Sequence, residues 1–246
     1  MKQNFRSRHP YVSAILIGLL CTFLTALGMA ISQIAEFGDE LTYVTAIIFL
    51  CISILVGIFI MKKSSQGLSD YGLRKAEKSS SVALWWYIPL IVMEIIPIII
   101  YGFDRKMAVA QYVIILFFTI AVGINEELYF RGLMLRFLRE KGRKKAIVVS
   151  AVIFGVLHLI NALNGKNILY LVLQMLFAFL VGFVLAEIVS ISKSLWIVII
   201  WHASHDFISM TTEGELDQKA LILLAIQVVL LLIYAVGLWK KSGSQE

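Results

Sequence analysis

Stretches of roughly 20 apolar residues recur along this chain, and that is the length a helix needs to cross the hydrocarbon core of a bilayer. They run at about 12–34, 41–61, 84–101, 109–124, 146–160, 168–190, 195–210 and 220–239, with short polar connectors between them. A soluble domain of 246 residues has no need for a composition that is 60% hydrophobic and 15% charged. The fold class that follows is all-α: a polytopic membrane protein of about eight transmembrane helices. No internal repeat, low-complexity tract or second soluble domain breaks the pattern, so residues 1–246 read as a single membrane domain.

Charge sets the expected orientation. The net charge of +6 does not point to nucleic acid here, because Lys and Arg gather in the cytoplasmic loops of membrane proteins. With the N-terminus inside, 18 of the 22 Lys and Arg residues fall in inside segments, most densely over Arg136–Lys145. Only Arg105, Lys106, Lys166 and Lys219 fall outside, together with the acidic loops 36–40 and 213–217. Both termini are therefore expected in the cytoplasm. The basic start (Lys2, Arg6, Arg8) before an apolar run has the outline of a signal peptide, with Gly28-Met29-Ala30 as a weak cleavage pattern. The run is long for one and opens a series of similar spans, so a retained anchor is expected. Cys21 and Cys51 both lie in apolar segments and give no disulfide framework.

Ionisable groups inside a bilayer are costly, which makes each one a functional candidate. The first group is Asn125-Glu126-Glu127-Leu128-Tyr129-Phe130-Arg131. Glu127 and Arg131 stand four residues apart with the acid first, the arrangement of an intrahelical ion pair. Glu126 lies about 100° further around the helix and is left free of that pair. The second is Phe154-x-x-x-His158, two residues on one helix face. The third is His202, His205 and Asp206, which share one side of a helix. His205 is the weakest member, since His202 and Asp206 already satisfy an i, i+4 pair. The fourth is Glu94, between Pro89 and Pro97, expected to hydrogen-bond to a carbonyl freed by the kink. If the fourth helix is long, from about Ala108 to Arg139, the first three groups share a mid-membrane layer; if it stops near Gly123, Glu126 lies close to the cytoplasm.

A free carboxylate with a neutral imidazole can activate water as a general base. A second histidine with a polar partner can donate to a developing oxyanion. Alternatively, His158, His202 and a carboxylate could bind zinc. The chain has no H-E-x-x-H, G-x-S-x-G or Walker loop.

The ordered set Glu126-Glu127-x-x-x-Arg131, Phe154-x-x-x-His158 and His202-x-x-x-Asp206 resembles the motif series of the CPBP family. These are the CAAX proteases and bacteriocin-processing enzymes, also called Abi or Ras-converting-type intramembrane endopeptidases. Asp70-Tyr71-Gly72-Leu73-Arg74 is similar to a further family feature, and the likeness covers about residues 66–210. The resemblance implies a protease with its site inside the bilayer of a cell membrane, in a chain whose short length is like that of bacterial members. By position, Glu126 would activate water with His158, Glu127 and Arg131 would support them, and His202 with residue 206 would stabilise the oxyanion. The eukaryotic-type enzymes carry Asn at the last position and this chain carries Asp206, which would oppose an oxyanion if ionised. Asp206 is then protonated, or orients His202, or a metal is present; family names often say metalloprotease. The implied partners are membrane lipid and a peptide or lipidated protein substrate. A non-proteolytic scaffold on the same fold, such as a bacteriocin self-immunity protein, is the alternative. A proton-coupled transporter using Glu94 and Glu126 is a third reading, disfavoured by the lack of repeat symmetry.

Overall fold

The computed structural model describes residues 5–64, 67–76, 87–165, 168–212 and 218–243. Lys2, Lys78, Lys166 and the acidic loop 213–217, which entered the charge argument, lie outside them, as do residues 84–86 of the third apolar segment.

Each of the apolar segments is helical. After a single turn at Phe5–Arg8 come α1 (Pro10–Ile34), α2 (Asp39–Lys62), α3 (Ile88–Tyr101), α4 (Val109–Lys141), α5 (Arg143–Leu157), α6 (Ile168–Ser192), α7 (Trp196–Thr211) and α8 (Gln218–Gly243). Six of the helices are long and apolar enough to cross a membrane: α1, α2, α4, α5 with the 3₁₀ turns that extend it, α6 and α8. The helices α3 and α7, of 14 and 16 residues, are not among them. At ~1.5 Å per residue they span about 21 and 24 Å, short of a ~30 Å hydrocarbon core. Among the described residues six helices are thus full-length candidates, and α3 and α7 are shorter.

The outward faces are apolar: Phe23, Leu55, Leu176 and Ile233 are all exposed. This fits lipid as the surrounding solvent. Polar groups turn inward, and Asn125, Glu127, Arg131, Glu187 and His202 are buried. One core cluster joins α3, α6, α7 and α8 through Met93, Val184, Leu185, Val198 and Leu231. A second joins α1, α4 and α5 through Ala14, Leu128, Leu133, Met134 and Phe154.

The fourth helix runs unbroken past Gly123, the longer of the two expected forms. The sequence did not announce that Leu128–Met134 within it is π-helical. Such a stretch widens the helix and is frequent at functional sites. All seven of its residues are buried. Partners from neighbouring helices hold it: Tyr129 Oη donates to the Ser53 carbonyl (2.9 Å), and Ser150 Oγ donates to the Phe130 carbonyl (3.1 Å).

Short α7 is fixed at both ends. At its start, Leu195 N–H donates to the Gly72 carbonyl (2.8 Å) and Ser194 Oγ to the Arg74 carbonyl (2.7 Å). These contacts give the Asp70–Arg74 motif a structural role. Gly72 sits at φ 90°, where a side chain is strained, and an added Cβ would lie 2.9 Å from Leu195. At its far end, Asp104 N–H donates to the Thr211 carbonyl (2.8 Å), tying α7 to the loop after α3.

Candidate active site

The site is built on a close crossing of α4 and α7. A Cβ on Gly123 would lie 3.0 Å from the Ala203 nitrogen and 3.1 Å from the Ile199 carbonyl oxygen. Only a residue without a side chain lets the two backbones meet this closely, and small residues serve the same purpose wherever membrane helices pack tightly. One helical turn beyond Gly123, the crossing delivers the acids of α4 to His202 of α7.

Glu127 lies at the centre of the resulting network. Its Oε1 accepts from His202 Nδ1 at 2.7 Å and pairs with the Arg131 guanidinium at 3.1 Å, with neither Glu127 nor Arg131 exposed. The Arg131 guanidinium carbon also stacks 4.2 Å from the Phe154 ring centroid, and Phe154 packs edge-on against His158. The intrahelical Glu127–Arg131 pair read from the spacing is present, and it reaches a third helix through His202.

Glu126 stands outside that pair and is partly exposed to a cleft. Its Oε2 is 3.6 Å from His202 Nε2, and Asp206 Oδ2 is 3.6 Å from the same nitrogen. His202 therefore gives one edge to Glu127 and presents the other to two carboxylates. His158 donates from Nδ1 to the Phe154 carbonyl at 2.8 Å. A carbonyl can only accept, so the proton of a neutral ring lies on Nδ1 and its Nε2 is the lone-pair edge.

Two cavities, each of about 350 Å³, meet at Phe154 and His158. The first lies against α1 and is lined by Cys21, Thr25, Met29, Glu126 and His158. The second lies between α6, α7 and α8 and is lined by His158, His202, His205 and Asp206. All six residues singled out in the motifs thus sit at one place: Glu126, His158, His202 and Asp206 face the cavities, and Glu127 and Arg131 stand behind them.

Two carboxylates depart from the sequence reading. Glu94 does not bond to a proline-freed carbonyl; its Oε1 accepts from His205 Nδ1 at 3.0 Å. The His205 ring is held between Trp201 and Phe177, with centroids at 5.0 and 5.6 Å. His205, the least persuasive residue in the sequence, thus has a defined partner. Glu187 of α6 went unnoticed because its neighbours are all apolar. It is fully buried, lies within electrostatic reach of Arg143, and lines neither cavity.

Zinc held by His158 and His202 would need further ligands. Among the described residues no three His, Cys, Asp or Glu side chains are grouped so as to hold a metal ion. This set of donors does not fit a metal ion.

Residues 108–208 match the model of a protein family described as Type II CAAX prenyl endopeptidase Rce1-like. The matched segment contains Glu126, Glu127, Arg131, His158, His202 and Asp206, and the resemblance drawn from those motifs is found again in it. No curated protein matches the chain.

Proposed function

We propose that this protein is an intramembrane endopeptidase that hydrolyses a peptide bond of a lipidated or otherwise membrane-associated peptide. The family match over residues 108–208 supports a CAAX-type peptidase in general terms. The observation that carries the specific reading is the approach of Glu126 Oε2 to within 3.6 Å of His202 Nε2, beside a cavity that Glu126 shares with His158.

In this reading a water molecule sits between Glu126 and the lone-pair edge of His158. Glu126 takes a proton from it as the oxygen attacks the scissile carbonyl. His202, its Nδ1–H given to Glu127, acts as an imidazolium whose Nε2–H donates to the oxyanion of the tetrahedral intermediate, a charged form favoured by the carboxylates around the ring. Glu126 then passes its proton to the leaving nitrogen as the C–N bond breaks, giving a carboxylic acid and an amine, between which the remaining proton exchanges on release. Glu127 and Arg131 are positioning residues, since both are buried behind the ring they hold. Asp206 is assigned to orienting His202, because it faces that ring's cavity edge. This is the one of the three explanations for an Asp at this position that rests on a contact.

We also propose that all eight helices insert in the membrane with both termini cytoplasmic. The charge asymmetry supports this orientation. The short α3 and α7 would be accommodated by local thinning or by burial among longer neighbours.

Comparing the membrane peptides of cells carrying wild-type protein and Glu126→Ala tests the function. Fragments present only with the wild type are the expected result. Identical peptide populations, with both proteins inserted at equal levels, would remove the reading.

A further inference from the structure

The second cavity has walls that the proposed reaction does not use. Beyond His202 and Asp206 it is lined by Glu94, His205, Phe177 and Gln227. Glu94 comes from α3, and its side chain is nine-tenths buried. One of its oxygens accepts from His205, while Oε2 has no hydrogen-bond partner among the described residues. With its Nδ1 proton given to Glu94, a neutral His205 ring turns a lone pair away from that bond. Gln227 donates one amide hydrogen to the Met93 carbonyl at 3.4 Å, and its side-chain carbonyl is an acceptor. Asp206 adds a second, partly exposed carboxylate. No Lys or Arg among the described residues lines this cavity. Among the described residues the wall thus holds two carboxylates, and its basic groups are the rings of His202 and His205, each already beside a carboxylate, which leaves Glu94 Oε2 without a donor.

Burying such a set is costly unless a donor fills it. The first cavity is different: among the described residues Glu126 is the one acid in its lining, beside Thr and Met side chains of α1. A substrate lying across Phe154 and His158 would meet two unlike chambers.

We propose that the second cavity is a substrate subsite for a cationic side chain, lysine or arginine, which donates to Glu94, Asp206 and the Gln227 carbonyl. Phe177, stacked on His205, offers an aromatic face beside the bound cation. This inference rests on the endopeptidase reading only in supposing that the ligand is a peptide.

The test uses purified full-length protein in liposomes and farnesylated peptides identical except for Lys, Gln or Glu at each position flanking the lipidated cysteine. At one position, kcat/KM should favour Lys over Glu by about tenfold or more, the scale of one charge-assisted hydrogen bond. Glu94→Gln should collapse that ratio toward unity. Binding of the same peptides to Glu126→Gln protein should show the same Lys preference. If the wild type cleaves none of the peptides, the hydrolytic reading fails, and this binding series alone decides the subsite. Equal handling of Lys and Glu at every position overturns the subsite while leaving hydrolysis standing. So does a Glu94→Gln protein that loses turnover but keeps the wild-type Lys-to-Glu ratio. If Glu94→Gln fails to fold, the wild-type series still decides.

Discussion

At the scale of single residues, two adjacent carboxylates stand in opposite surroundings. Glu127 is fully buried and holds both Arg131 and His202, whereas Glu126 faces a cavity and touches His202 only at 3.6 Å. Removing one partner of a buried charged pair leaves the other uncompensated, at a cost of about 3–5 kcal/mol. Glu127→Ala should therefore unfold at markedly lower temperature in a detergent melt, whereas Glu126→Gln should melt near the wild type. A Glu127→Ala protein as stable as the wild type would show that the brace carries no stability. This division was legible in the sequence, because an i, i+4 acid–base pair inside an apolar helix leaves the neighbouring acid on another face. The Glu94–His205 pair was not legible. Its partners lie on different helices, 111 residues apart, and no local spacing relates them. Glu187 was missed for a related reason: a single acid in a long apolar run gives no periodic signal, and its counter-charge, Arg143, belongs to another helix.

Among the elements, α4 and α7 matter most, because their crossing sets the distance between the two halves of the site. The contact at Gly123 leaves an added methyl 3.0–3.1 Å from two backbone atoms of α7, which cannot swing aside as a side chain would. Gly123→Val should push the helices apart. Displacements approaching 1 Å in a catalytic constellation cost roughly 10²-fold in rate. We expect the variant to insert but to lose turnover on that scale, with a substrate-binding constant much less affected. Wild-type turnover in Gly123→Val would mean that the crossing does not set the chemistry. The apolar runs of the sequence coincide with helices among the described residues, yet they gave no sign of the π-helical turns at Leu128–Met134. Those seven residues have the composition of an ordinary buried helix, and the contacts that hold them, to Ser53 of α2 and Ser150 of α5, come from elsewhere in the chain. The length of α4 was likewise open in the sequence. The polar cluster at Asn125–Arg131 can end a span or sit within one, and only burial by α1, α2 and α5 keeps it inside.

For the whole molecule, the structure is a bundle that inverts the usual arrangement, with apolar faces outward and a charged network within. The positive-inside asymmetry supports the proposed orientation with both termini cytoplasmic. Reporter domains fused to each end should both read as cytoplasmic, and one reading as external would overturn the orientation. Within the bundle, the cavities against α1 and between α6, α7 and α8 meet at Phe154 and His158, and the proposed chemistry lies at that junction. The most direct test is turnover of a farnesylated peptide by wild-type and Glu126→Gln proteins purified and reconstituted in parallel. The account predicts cleavage by the wild type and a loss of about 10²–10⁴-fold in the variant, the range a general base contributes. Cleavage by Glu126→Gln at the wild-type rate would contradict it.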